Sequence, residues 1–207
     1  MTTKILTDPV FQENARDLAR TVRFLAERGW APATSSNFSV RLPFPNRIAI
    51  SRSGVDKYQF GVEDVMVIDN AGKAVAPADA GPSAETLLHT LLYKHDPAVG
   101  AVLHTHSVKG TVLSMQVRDS LEISGFEILK GLAGNTSHNM TEVVPIVPNS
   151  QDMKQLADKV RDRLKPRTHG FLIAGHGLYT WGQTLAEARR HIETFEFLFD
   201  CLLNMKR

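Results

Sequence analysis

Val99-Gly-Ala-Val-Leu-His-Thr-His-Ser-Val-Lys-Gly-Thr-Val-Leu-Ser-Met-Gln116 is the stretch whose reading decides the fold. Val99 to His104 is a short apolar run of the kind that makes a buried strand, and Ser107 to Gln116 reads as a helix. Strand passes into helix through a pair of histidines, and the same interleaving continues in both directions. Upstream, Ser83 caps a helix carrying Leu87, Leu88, Leu91 and Leu92, which Asp96-Pro97 ends. Before it lie strands at Arg47–Ser51 and Val65–Asp69, with Asn70-Ala-Gly-Lys73 as the turn ahead of Val75 and a loop from Ala76 to Pro82.

The first helix spans Pro9 to Arg28. Phe11, Ala15, Leu18, Val22 and Leu25 make one apolar stripe, Asp8 is the N-cap, Pro9 fills the first helical position and Gly29 is the stop. Trp30 to Arg41 reads as a polar turn rich in small residues. Downstream, Glu122–Phe126 and Val143–Val147 are strands. Pro145 puts the second near a sheet edge, because proline lacks the N–H of a ladder. Ser150 opens a helix with Leu156, Val160 and Leu164 on one face. Gly170–Ala174 and Gly177–Trp181 are short strands around His176. Thr184 and Glu187 form a capping box for a last helix that buries Ala188, Ile192, Phe195, Phe199 and Leu202. No repeat, low-complexity tract or linker interrupts the pattern, so residues 1–207 read as a single α/β domain with a mixed sheet between helices.

The bulk properties exclude several classes. Among 207 residues, 43% are hydrophobic and 22% charged, and the net charge of +2 is too small to argue for nucleic acid or an anionic membrane. Cys201 is the only cysteine, so no intrachain disulfide forms and a reducing cytoplasm fits. Its neighbours Phe197, Leu198, Leu202 and Leu203 make it a small core residue. No secretory leader is expected, and no apolar run of about 18 residues occurs in the sequence. The expectation is a cytoplasmic protein with no nucleic-acid or membrane partner.

His104 and His106 share one face if the strand continues through them, and two imidazoles so placed reach a common ion at about 2.0–2.1 Å. Two solvent-facing loop histidines would show the same pattern. Open zinc sites take three protein ligands. His89, His95 and His191 fall in helices, where packing or surface roles suit them, and His138 and His169 fall in loops as weaker candidates. His176, between glycines that allow close backbone approach, is the third candidate, with an ordinary loop role as the alternative. Glu85 stands in the first turn of a helix, where a carboxylate suits the helix dipole whether or not it acts. Glu127 follows a strand as a loop carboxylate. Thr34-Ser-Ser-Asn-Phe-Ser39, Ser51-Arg-Ser-Gly54 and Ser83 at a helix start are candidate anion sites, although each is also ordinary turn or cap chemistry.

In order, Thr-Ser-Ser-Asn-Phe-Ser, Ser-Gly-Val, Pro-Ser-Ala-Glu, His-Thr-His-Ser and Gly-His-Gly-Leu-Tyr-Thr-Trp-Gly resemble the class II aldolase/adducin-head superfamily over nearly the whole chain. Gly29-Trp-Ala-Pro-Ala-Thr34, Glu127 ahead of Lys130-Gly131 and the Tyr179-Thr-Trp-Gly182 ending look most like its dehydratase branch of methionine salvage, which acts on a methylthio-bearing ketose 1-phosphate. The resemblance implies a three-layer α/β/α sandwich around a largely antiparallel sheet, and a homotetramer with active sites near subunit boundaries. It implies one zinc ion per subunit on His104, His106 and His176. It implies acid/base work by Glu127, or by Glu85 as in the aldolase branch, and substrate-phosphate contacts at Asn37, Ser53, Gly54, Ser83 and Lys130. Ser36 stands where the family usually has glycine, and Ala84 where aldolase relatives carry a second serine. The alternatives are a sugar-phosphate aldolase or epimerase on the same scaffold, and a non-catalytic binding protein like the adducin head, which need not keep the ligand set.

Overall fold

The computed structural model describes residues 2–78 and 81–205. The strands are β1 (Asn37–Arg41), β2 (Ile48–Ser51), β3 (Val65–Ile68), β4 (Ala74–Ala76), β5 (Ala101–Thr105), β6 (Ser120–Ile123), β7 (Glu142–Val147), β8 (Gly170–Ile173) and β9 (Gly177–Gly182). The helices are α1 (Thr2–Leu6), α2 (Pro9–Glu27), α3 (Thr86–His95), α4 (Val108–Gln116), α5 (Met153–Arg163) and α6 (Leu185–Met205). The strands form one nine-stranded sheet in the order β4-β3-β2-β1-β5-β9-β8-β7-β6. Its pairings are antiparallel except β7 with β8, which run parallel. This is the largely antiparallel sheet that the motifs implied, and β7, with its Pro145, lies next to the edge strand β6.

Helices cover both faces, which explains why β3 and β8 read as unbroken apolar runs rather than alternating ones. Phe38, Val40, Ala49, Val67, Ala101 and Leu103 pack beneath the Phe11–Leu18–Val22–Leu25 stripe of α2 and Ile192 of α6. Further along, Val144, Ile146, Leu172 and Leu178 meet Leu113 of α4 with Phe195, Leu198 and Phe199 of α6. On the opposite face Ile48, Ile50, Met66, Ile68, Val102, Phe171 and Ile173 pack on Leu88, Leu91 and Leu92 of α3 and on Leu156 and Val160 of α5. Among the described residues no helix is long and apolar enough to cross a membrane.

Several expectations need correction. Trp30–Arg41 is not wholly a turn: its last five residues are β1, between β2 and β5. The polar side chains of Asn37 and Ser39 hid that strand, and they are buried because α3 supplies their partners. Ser83 does not cap α3. The helix begins at Thr86 with Glu85 in the cap position, and Ser83 Oγ accepts the Glu85 N–H at 3.3 Å. Asp152, not Ser150, caps α5, accepting the N–H groups of Lys154 and Gln155 at 2.9 and 3.1 Å. Cys201 is half-buried rather than in the core. The expected loop from Ala76 to Pro82 falls partly outside the described residues. Asp8 does cap α2, and Thr184 Oγ1 and Glu187 do hold the start of α6.

Candidate metal centre

Register across three adjacent strands builds the site. Asn37 on β1 lies opposite His104 on β5, which lies opposite Tyr179 on β9. His104 is fully buried, and His106 follows just past the strand, its N–H held by the Trp30 carbonyl at 2.8 Å. His176 sits in the β8–β9 turn. Gly175 takes φ +63° there, and a Cβ on Gly177 would stand 2.0 Å from the Thr105 carbonyl oxygen, so only glycine lets this turn close against β5. Thr111 Oγ1 of α4 donates to the His176 carbonyl at 3.0 Å and ties the turn down.

The three Nε2 atoms converge. His104 and His106 are 2.8 Å apart, His106 and His176 3.1 Å, and His104 and His176 3.3 Å. Tetrahedral zinc with Zn–N of about 2.0–2.1 Å needs nitrogens roughly 3.3 Å apart, so the triangle is slightly tight but of the right size. His104 Nδ1–H donates to the Leu178 carbonyl at 2.9 Å, which leaves its Nε2 as a lone pair aimed at the centre. Its ring stacks on Tyr179 with centroids 4.0 Å apart. Burial pushes His104 well below the usual imidazole range and brings His106 down to about 4, so both are neutral at pH 7, the state a ligand needs. Lone pairs facing one another at these distances fit a divalent cation and repel otherwise.

Glu85, from the start of α3, closes the cluster. Its Oε1 lies 3.0 Å from His176 Nε2 and 3.9 Å from His104 Nε2, and the four ligand atoms all fall within 4.8 Å of one another. Burial raises its carboxyl, but His176, His104 and the Asn37 amide outweigh burial and bring it down to about 2. Glu85 is therefore an ionised acceptor at the site.

Beside these groups is a cavity of about 190 Å³ lined by Asn37, Ser53, Gly54 and Ser83 together with Glu85 and His106. Four of the five predicted phosphate residues are thus brought to the histidines. Arg52 also lines it, a cation that the reading of Ser51-Arg-Ser-Gly54 as a hydroxyl-rich turn passed over. Ser36, on the same wall, takes φ +72°, the left-handed backbone region that favours glycine. A non-glycine residue held in that region costs on the order of 1–3 kcal/mol. A hollow of about 360 Å³ near Glu142 and Arg167 is larger but contains none of the predicted site residues.

Glu127 and Lys130 are placed elsewhere. They lie on an exposed 3₁₀ turn, Glu127–Gly131, and pair with each other, with His138 Nδ1 3.6 Å from the carboxylate. The Lys130 hydrogen bond and charge hold the Glu127 carboxyl below its usual range. Neither residue lines the cavity or joins the four-ligand cluster. His169 has a structural role: its Nδ1 meets both Glu142 oxygens, at 3.1 and 2.9 Å, and its Nε2 meets the Ala133 carbonyl at 2.7 Å. The sequence reading also missed the buried partners of Glu85. Asn37 Nδ2 donates to Glu85, and His89 contacts Asn37 from one turn further along α3.

Comparison with known proteins adds to this geometry. The family model for the class II aldolase and adducin N-terminal domain matches residues 16–203. A methylthioribulose-1-phosphate dehydratase of Marinobacter nauticus is 50% identical over 197 residues, covering 93% of this chain and 94% of that protein. One of Pseudomonas aeruginosa is 51% identical over 186 residues, covering 88% and 90%. Among solved structures, YgbL of Escherichia coli superposes with a TM-score of 0.81 at 24% identity, over 95% of this chain and 91% of that one, which bears on the fold.

Proposed function

The chain belongs to the class II aldolase and adducin N-terminal domain family, and from that premise we propose that it is a zinc-dependent dehydratase of 5-methylthioribulose 1-phosphate, acting in methionine salvage in the cytoplasm. The observation that carries the reading is the triangle of three Nε2 atoms with Glu85 beside it, opening on a cavity lined with hydroxyls and Arg52. In the reaction a proton leaves the carbon beside the ketone, the C–O bond on the next carbon breaks and water departs. The enol left behind becomes the second ketone of 2,3-diketo-5-methylthiopentyl 1-phosphate.

His104, His106 and His176 would hold one zinc ion per subunit, which supplies a Lewis acid for the negative charge developing at the ketone. Imidazoles ligate as neutral groups and would leave the ion its full positive charge for that task, with the Glu85 carboxylate standing beside the cluster. Ser53, Gly54 and Ser83, with Arg52, grip the phosphate and fix the reacting carbons in place, so remote binding contributes orientation. Asn37 has one amide hydrogen on Glu85 and its carbonyl on His89, so only its second amide hydrogen is left for the phosphate.

Glu127 protonates the leaving hydroxyl, or shuttles to it the proton taken from the carbon beside the ketone, with Lys130 reaching the phosphate. Both are exposed, and a cavity of about 190 Å³ is smaller than the roughly 300–1,000 Å³ of complete ligand sites. Those two facts support a homotetramer in which this turn of one subunit completes the site of its neighbour. Residues 1–207 act as one domain in that assembly.

A second reading has a specific observation behind it: the carboxylate at the histidines is Glu85, the position matching the acid/base of the aldolase branch. A product assay separates the two. Methylthioribulose 1-phosphate should yield the diketone and water, and fuculose 1-phosphate should remain uncleaved. Cleavage of fuculose 1-phosphate without dehydration of the first substrate would establish the aldolase instead.

A further inference from the structure

Behind Glu85 a chain of polar side chains runs into the core. Asn37 Nδ2 donates to Glu85 Oε2, Asn37 Oδ1 meets His89 Nε2 at 2.5 Å, His89 Nδ1 meets Ser39 Oγ at 2.7 Å, and Ser39 Oγ meets the Tyr93 hydroxyl at 2.9 Å. Asn37, Ser39, His89 and Tyr93 are each 4% exposed or less. A buried polar chain costs stability unless every member is satisfied, and here each member is. Burial brings His89 down to about 4, so it is a neutral imidazole with one donor and one acceptor nitrogen.

We infer that Ser39 and His89 are positioning residues that fix the Glu85 carboxylate against the three imidazoles by dictating which way the Asn37 amide faces. The inference rests on the reading of Glu85 as part of the metal centre. Direction is forced along the whole chain. Asn37 turns its NH₂ toward Glu85 Oε2 and its carbonyl toward His89. That carbonyl needs the Nε2–H tautomer of His89, whose bare Nδ1 must receive a proton. Ser39 has one hydroxyl hydrogen and gives it to Nδ1, so Tyr93 donates to Ser39. Without the Ser39 hydroxyl, His89 Nδ1 loses the donor that holds the Nε2–H tautomer from the far side of the ring. The other tautomer aims a lone pair at Asn37 Oδ1, and the amide relieves that by flipping, which presents its carbonyl oxygen to the Glu85 carboxylate. The edge of His89 also meets the Tyr179 ring, at 5.8 Å between centroids, and that ring stacks on His104.

Ser39→Ala removes one oxygen that touches neither the histidine triangle nor Glu85. Its zinc affinity, read by chelator competition on purified enzyme, should fall about 10–100-fold, as should kcat, with KM within about twofold. Ser39→Thr should restore both. If Ser39→Ala does not fold, the His89 pair tests the same link: His89→Gln keeps an N–H for Asn37 and should hold the affinity that His89→Leu loses. Wild-type zinc affinity and kcat in Ser39→Ala or His89→Leu overturns the inference, and so does a lower Tm with both unchanged. A wild-type enzyme that binds no zinc overturns the reading of the centre itself, and the inference with it.

Discussion

Replacing Glu196 with glutamine should change stability by an amount that depends on pH. Glu196 lies on α6, 3% exposed, near the Ser107 that caps α4 behind His106. Its oxygens make no hydrogen bond of good geometry, although the Ser107 side chain is close enough to favour the charged form. Burial dominates, Ser107 and Lys109 only partly offset it, and the carboxyl is pushed up to about 7. An acid whose folded-state pKa exceeds its unfolded value holds its proton more tightly when folded. Stability is then greatest below the unfolded pKa, falls as pH rises from about 4.5 to about 7, and levels off above. At 1.36 kcal/mol per pK unit the loss is roughly 3 kcal/mol. Glutamine keeps the shape and cannot ionise. A buried amide lacking partners costs about 1–3 kcal/mol, but equally at both pH values. The difference in ΔΔG between pH 4.5 and pH 8 therefore isolates the carboxylate. Urea titrations at fixed protein concentration should show Glu196→Gln gaining about 3 kcal/mol relative to wild type on moving to pH 8, with equal m-values. The same ΔΔG at both pH values would refute the reasoning.

Glu127→Gln should leave zinc bound while turnover falls by about 10²–10⁴-fold. If Glu85→Gln collapses turnover and Glu127→Gln does not, the acid/base assignment moves to Glu85. Gly177→Ala drives a Cβ to 2.0 Å from the Thr105 carbonyl and 3.2 Å from His104 Cε1. It should cost about 1–3 kcal/mol and lower zinc content by metal analysis, because β9 must shift off β5.

What the residues disclose in order along the chain follows from local physics. Val99–Gln116 announces a buried strand and a helix through its own apolar spacing, and the Phe11–Leu25 stripe announces α2. Asp8 caps α2 because its side chain reaches the Val10 N–H two residues on. β1 stayed hidden because Asn37 and Ser39 look like turn residues until their partners arrive from α3, about fifty positions later. Ser83 and Ser150 looked like caps because serine commonly is one, but the helices start at Thr86 and Met153. The histidine cluster was legible because His104 and His106 stand two residues apart where an apolar strand ends and His176 stands between glycines. Its Glu85 was legible as a residue, while its contact with His176 was not, since that depends on how the start of α3 meets the β8–β9 turn. Arg52 and the relay behind Glu85 were invisible for the same reason: both are made by sheet order and register, which spacing along one chain does not encode. Glu127 carries the opposite lesson. Its motif is clear, yet the fold of one chain leaves it exposed beside Lys130.

The central claim is that three imidazoles hold an ion essential for dehydration, and turnover of methylthioribulose 1-phosphate before and after metal removal tests it most directly. Purified enzyme should contain about one zinc per chain, since three imidazoles and one open position make a single site. It should lose diketone formation on chelation and regain it when zinc is restored, and His106→Ala should neither bind the ion nor recover. Full turnover in metal-free enzyme, or in a His106→Ala protein that holds no ion, would contradict the account.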